Sequence, residues 1–245
     1  MIRNILVNTD PGTLIFLVAM PAMYLIFMGF MFGSLINNIP GFNYKEFLTP
    51  GIMAFDTVSA GAIAGSLLWS DRRYGMFEQI LTAPYTRSEY LFGILYATIF
   101  LSLIGSVILL IISQILVVHI FMGAIGIVFM ILNIVVGGLF WGFLFLALAA
   151  KTRSNQAYNS IQIFIIFFAD FASTVFYPLT SKTPMALRYM FYINPLTYIA
   201  DGIRAGYLSS ITKATIIEFS ILILETFIIG IIAILLYRKV RIGTT

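Results

Sequence analysis

The sequence predicts an all-α integral membrane protein with six transmembrane helices, and three observations predict it. Of the 245 residues, 60% are apolar and 10% charged, whereas a soluble domain carries about 45–50% and about 25%. So few charges cannot cover a water-facing surface, and no room is left for a soluble catalytic domain. The 24 charged side chains, 14 basic and 10 acidic, punctuate apolar runs long enough to cross a bilayer core of about 30 Å. Those runs are continuously apolar over twenty or more residues rather than alternating, which argues for helices and against a β-barrel.

The spans follow in order, and together they make residues 1–245 one membrane domain. Thr13 to Ile36 carries no charge and forms span one (13–36). Span two covers 50–70 and holds a single charge, Asp56. Between Glu89 and Lys151 there is no charge except a possible His119, and this stretch is too long for one crossing. It divides near His119–Gly126, where glycine permits a turn, into spans 90–118 and 123–150. Span five is 158–178 and contains Asp170. Span six is 215–237 and contains Glu225. No signal peptide is expected, because the first apolar segment is too long and lacks a cleavage pattern.

Orientation follows from lysine and arginine, which favour the cytoplasmic side. With both termini cytoplasmic, Arg3, Arg72, Arg73, Arg87, Lys151, Arg153, Arg238, Lys239 and Arg241 lie inside, while Lys45, Lys182, Arg188, Arg204 and Lys213 lie outside. The net charge of +4 therefore serves orientation, and nucleic acid is not an expected partner. Zero cysteines exclude disulfides and thiolate chemistry, and one histidine excludes a histidine-rich metal cluster, so no metal site is expected.

Two loops carry more than connection. On a helical wheel, residues 74–82 place Tyr74, Met76, Phe77, Ile80 and Leu81 on one half and Gly75, Glu78, Gln79 and Thr82 on the other, and Pro84 ends the helix. Such a short amphipathic helix at the cytoplasmic surface either lies flat in the lipid interface or plugs a groove on a cytoplasmic partner. The outer loop, 181–213, is long enough to hold structure of its own. Pro184 to Tyr192 is one helical candidate. A second runs from Pro195 to about Leu208, with Asn194 as its cap and Pro195 at its first position. Asp201 and Arg204 are spaced to pair. These helices rest on the bilayer or dip into its outer leaflet.

The stretch Trp69-Ser-Asp-Arg-Arg-Tyr-Gly-Met-Phe-Glu-Gln-Ile-Leu-Thr-Ala-Pro-Tyr-Thr-Arg87 resembles the signature of type-2 permeases of ATP-binding-cassette exporters. Asn194-Pro-Leu-Thr-Tyr-Ile-Ala-Asp-Gly-Ile-Arg204 resembles their second signature, and the nearest subgroup is the daunorubicin or multidrug-resistance type. The resemblance implies a plasma (inner) membrane transport half that joins a second permease copy, expected as a homodimer, and two cytoplasmic ATPase subunits. It makes 74–82 the coupling helix, with Tyr74, Gly75, Met76, Phe77, Glu78, Gln79, Leu81, Pro84 and Arg87 facing the ATPase. It makes Asn194, Pro195, Tyr198, Asp201 and Arg204 part of an outer gate. ATP and magnesium belong to the partner, since no phosphate-cradling G-x-x-x-x-G-K-[ST] occurs here. One departure is the short lead-in before Pro11, which allows at most a short interfacial helix.

Inside the spans, Asp170, Asp56 and Glu225 are the candidates for a substrate pathway, because ionisable groups at membrane depth face protein or water. The competing reading is packing between helices, as it is for Ser102, Ser106, Ser113, Gln114 and Asn133. Small-x-x-x-small patterns at Gly29/Gly33, Gly61/Gly65 and Gly138/Gly142 permit close helix approach, and Gly29 and Gly33 are candidates for packing against the second copy. An exporter of amphipathic or lipid-like solutes is the favoured reading. The alternative is an ion-coupled carrier built on the three carboxylates.

Overall fold

The computed structural model describes residues 11–36, 43–77, 79, 86–116, 122–180 and 183–239, with the side chains of 11–18, 34–36 and 116 excepted. Regular structure among these residues is entirely helical: α1 (Pro11–Ile36), α2 (Tyr44–Arg73), α3 (Arg87–Leu116), α4 (Ala124–Lys151), α5 (Asn155–Phe171), α6 (Met185–Ile193), α7 (Pro195–Tyr207) and α8 (Lys213–Arg238). Four of them, α2, α3, α4 and α8, are long and apolar enough to cross a membrane. The predicted break at 119–126 falls where α3 has ended and α4 begins at Ala124, with 117–121 outside the described residues.

Local chemistry sets the helix ends. Asn43 caps α2 by accepting the Lys45 N–H at 3.1 Å, so the helix begins at Tyr44 and runs through Pro50 rather than starting there, as the sequence reading has it. Thr86 and Glu89 form a reciprocal box at the start of α3. The Glu89 N–H donates to the Thr86 hydroxyl at 3.2 Å, and the Thr86 N–H donates to the Glu89 carboxylate at 2.6 Å. Ser154 caps α5 and a Thr212–Thr215 capping box opens α8. Arg72 and Arg73 close α2, and Arg238 closes α8, where positive charge complements the helix dipole.

The fifth predicted span requires correction. Its helix is α5, which stops at Phe171 instead of continuing to 178. At its end Asn194 intervenes from a distant loop: its Nδ2 donates to the carbonyls of Ala169 (2.7 Å) and Ala172 (2.9 Å). Those are the orphan acceptors of a helix terminus. With them satisfied, the chain turns through 172–177. A helix of 17 residues is about 25 Å long, less than the bilayer core.

The bundle is centred on α2, which packs against α1, α3, α4, α5 and α7. Leu48, Ile52, Val58 and Leu68 are fully buried along it. Close approach is built with glycine on two faces. A Cβ at Gly61 would lie 2.5 Å from the Trp141 Cβ, and one at Gly65 would lie 2.6 Å from the Phe145 carbonyl oxygen, so the α2–α4 contact is nearly backbone to backbone. Gly206 of α7 and Gly126 of α4 approach in the same manner, with 2.6 Å from a Cβ at Gly206 to the Gly126 carbonyl oxygen. Thr49, Ser113 and Tyr207 form a hydroxyl chain of 2.9 and 3.2 Å that joins α2, α3 and α7. Ser113 thus makes the helix-to-helix bond expected of it. Asn133 instead donates to Phe129 of its own helix at 2.8 Å.

These contacts sort the ends of the bundle. The C-termini of α2, α4 and α8 and the N-termini of α3 and α5 gather at one end, with Arg72, Arg73, Arg87, Lys151, Arg153, Arg238 and Lys239. There the Arg72 guanidinium donates to the Ala149 carbonyl at 2.6 Å, and Arg87 donates to the Arg238 carbonyl at 3.4 Å. At the opposite end lie α6 and α7, with Lys45, Arg188, Arg204 and Lys213.

Candidate functional site

At the basic end, α2 stops at Arg73 and the chain turns through Tyr74 and Gly75, the latter at φ +72°. The helix following this turn begins at Met76, not at Tyr74, because glycine in the left-handed region breaks the helical run. The Gln79 N–H donates to the Gly75 carbonyl at 3.2 Å and defines its first turn. Glu78, Leu81 and Pro84, expected in the same element, lie outside the described residues. The apolar half of the expected wheel is split by the turn. Phe77 is 2% exposed and packs inward, while Tyr74 is 76% exposed and Met76 is also open. Gln79 is on the surface, and Arg87 sits over the end of α8. The outward face at this end is therefore Tyr74 and Met76, bordered by Arg73, whose guanidinium lies 5.5 Å from the Trp69 ring.

At the opposite end the two loop helices divide sharply. α6 exposes Met185, Leu187, Tyr189, Tyr192 and Ile193 and buries only Phe191. α7 is core: Leu196, Ile199, Ala200, Ile203 and Tyr207 are fully buried. Asn194 serves both sides of the junction, since its Oδ1 also accepts the Leu196 N–H at 3.0 Å and caps α7. Pro195 occupies the first turn, as expected, and the Tyr198 hydroxyl donates to the Tyr192 carbonyl. Arg204 is the strongest tie. It pairs with Asp201, donates to the carbonyls of Phe47 (3.3 Å) and Thr174 (3.1 Å), and lies 3.9 Å over the Phe47 ring. Thr174 in turn donates to Asp201 at 3.0 Å. Burial pushes the Asp201 carboxyl up, and the Arg204 charge holds part of that rise back. Burial likewise lowers Arg204, opposed by Asp201. One guanidinium thus joins α7 to the first turn of α2 and to the turn after α5.

The three pathway carboxylates sit in different surroundings. Asp56 is fully buried on α2 against α3, where a Cβ at Gly105 would be 2.6 Å from its Oδ1. Neither of its oxygens has a hydrogen-bond partner among the described residues. Asp170 is buried in the last turn of α5, not at the middle of a span, and Glu225 lies half-buried on α8. No hydrogen bond or ion pair among the described residues joins the three. Gly29 and Gly33 are buried against Lys45 and Leu48 of α2 in the same chain, with a Cβ at Gly33 standing 3.3 Å from the Lys45 side chain. Spacing alone reports a smooth strip without naming its partner. The outward strip of α1 is instead Met20, Met23, Phe27, Phe30 and Met31, and α5 exposes Phe164, Phe167, Phe168 and Phe171.

Sequence reasoning missed the inward turn of Phe77, the second role of Asn194 and the contacts of Arg204 beyond Asp201. Only the last had a signal, since a lone arginine in an apolar helix needs several acceptors.

Four helices long and apolar enough to cross a membrane, one basic end and a largely apolar perimeter define a multi-pass membrane protein. The family model for ABC-2 type transporters matches residues 3–208. The chain is 24% identical over 205 residues to the Inner membrane transport permease YadH of Escherichia coli K12, covering 82% of this chain and 77% of that protein. It is 30% identical over 254 residues to the Putative transport permease ycf38 of Cyanophora paradoxa, covering 94% of this chain and 83% of that protein. The chain belongs to the ABC-2 type transporter family. It is a transport permease, a multi-pass protein of the plasma membrane.

Proposed function

We propose that this chain is the transmembrane half of an ATP-driven exporter of hydrophobic, amphipathic or lipid-linked solutes. In this reading the chain crosses six times, with α1 and α5 completing the set, and both termini and the basic end face the cytoplasm. A separate ATPase subunit carrying ATP and magnesium docks on each of two permease copies. The observation that carries the reading is the exposed Tyr74–Met76 face beyond the end of α2, at the end that gathers seven basic residues and within the signature-like stretch. A groove on a partner would cover these two neighbouring side chains together, in the helix-in-groove manner. The apolar strip of α1 and the phenylalanines of α5 are the surfaces offered to the second copy and to lipid. The daunorubicin-type resemblance supports a drug-like solute.

The test is affinity purification of the tagged permease from its native membrane, followed by identification of the co-purifying ATPase. Tyr74→Glu together with Met76→Glu should abolish that association while leaving membrane insertion intact. Retention of the ATPase by this variant would refute the docking assignment. A second reading, ion-coupled transport, draws on the buried Asp56 carboxyl. It is favoured if transport in vesicles persists without nucleotide and stops when the proton gradient is collapsed.

A further inference from the structure

At the basic end, Phe77 is held by more than simple burial. Its ring meets Tyr90 edge-on, with centroids 5.4 Å apart at 70°, and Tyr237 edge-on at 6.0 Å and 77°. Tyr90 and Tyr237 stack on each other at 6.4 Å and 12°. All three are nearly inaccessible. Both tyrosines are also fixed through their hydroxyls: Tyr90 donates to the Asp71 carboxylate at 2.6 Å and Tyr237 to the Arg87 carbonyl at 3.1 Å. Arg87 then reaches the Arg238 carbonyl at 3.4 Å. Phe77 therefore enters a box whose walls are the first turn of α3 and the last turn of α8, registered on the end of α2.

The connection back to α2 has the opposite character. Gly75 stands at φ +72°, and a Cβ there would meet nothing within 4 Å. The helical hydrogen-bond ladder of α2 ends with the Tyr74 N–H on the Ser70 carbonyl. Tyr74 is thus the last residue tied to the α2 ladder, and Met76 and Phe77 lie beyond the turn at Gly75. The enclosed Phe77 ring connects that following segment to α3 and α8.

We propose that Phe77 is a positioning residue: Tyr74 and Met76 form the docking face, and the Phe77–Tyr90–Tyr237 clasp transmits the movement of the docked ATPase jointly to α3 and α8. This rests on the exporter reading, and it assigns docking and transmission to different residues of one segment.

The two roles separate experimentally. The chain has no native cysteine, so Met76→Cys and Lys239→Cys accept spin labels without background. In the purified permease alone, the 76–239 distance distribution should be narrow. It should broaden in Phe77→Ala and in Phe77→Leu, which keeps an apolar side chain in the box but loses both edge-to-face contacts. In the complex with the ATPase that co-purifies, Phe77→Leu should retain the partner to within about twofold yet lose permease-dependent stimulation of ATP hydrolysis by about tenfold, the scale of two aromatic contacts. Tyr74→Glu should do the reverse, releasing the ATPase while the label distance stays narrow. Tyr237→Phe, which removes only the hydroxyl bond to Arg87, should fall between wild type and Phe77→Leu. Normal stimulation in Phe77→Leu, an unchanged label distribution, or release of the ATPase equal to that of Tyr74→Glu would each overturn the transmission role. Failure of Tyr74→Glu to release the ATPase would instead sink the docking reading, while the label distances on the permease alone would still judge the clasp.

Discussion

Asn194 is 6% exposed and bonds both the end of α5 and the start of α7, so its replacement can be graded by function. Its Oδ1 caps α7 through the Leu196 N–H at 3.0 Å, a contribution of about 1 kcal/mol. Its Nδ2 satisfies two buried carbonyls at 2.7 and 2.9 Å, each worth about 1 kcal/mol net. Asn194→Ala removes all three bonds and is expected to cost about 3 kcal/mol. Asn194→Ser retains an oxygen for the cap and loses both donations, for about 2 kcal/mol. Asn194→Asp is the discriminating variant. It is nearly isosteric and an excellent cap, and its charge suits the start of α7. Yet it replaces the donor with an acceptor facing two carbonyl oxygens, so it should be at least as destabilised as the serine variant. Unfolding free energies in mixed micelles, followed by the fluorescence of Trp69 and Trp141, provide the measurement. If Asn194→Asp matches wild type, capping is the whole role of this residue and the early end of α5 has another cause.

Three further outcomes follow from the same geometry. Gly65→Ala forces a Cβ to 2.6 Å from the Phe145 carbonyl oxygen and should cost about 1–3 kcal/mol in the same unfolding assay, with Gly65→Ser no better. Gly75→Ala has space around it but an unfavourable φ, so it should cost only about 1–2 kcal/mol, and Gly75→Asn should recover part of that loss because asparagine tolerates the left-handed region. Arg204→Ala should cost about 2–3 kcal/mol and should increase labelling of a cysteine placed at Phe47. Arg204→Lys should stay close to the alanine variant, because one ammonium cannot reach Asp201, Phe47 and Thr174 together; recovery of wild-type stability by lysine would show that charge alone suffices.

Much of this architecture was legible in the sequence because its signals are local. The punctuating charges put span ends at 70, 90, 150 and 237, close to the observed helix ends at Arg73, Arg87, Lys151 and Arg238. Asn194, Pro195 and the Asp201–Arg204 spacing placed α7 to within a residue of its observed limits. The end of α5 was not legible, because the donors to Ala169 and Ala172 come from a residue more than twenty positions away. The inward turn of Phe77 was hidden for a related reason. A wheel assumes one continuous helix, and the positive φ of Gly75 rotates Tyr74 away from the residues that follow.

The remaining errors share one physical origin. In water, an amphipathic pattern tells which face of a helix packs, because the other face must be polar. In lipid both faces are apolar, so α8 reads the same on every side although Leu222, Thr226, Gly230, Ala233 and Tyr237 are the residues it buries. Without a hydrophobic force between helices, contact is chosen by small residues and by polar groups seeking shelter. That is why α2, with Thr49, Asp56 and Thr57 buried along its length, lies at the centre. It is also why its Gly61 and Gly65 face α4. The most polar span is the innermost one, and the most uniformly apolar span faces lipid. Gly29 and Gly33 obey the same rule: the groove they make is filled by the Lys45 stem within the chain. The bulky side chains on the other side of α1 are then left for a second copy or for lipid, a division that residue spacing alone cannot express.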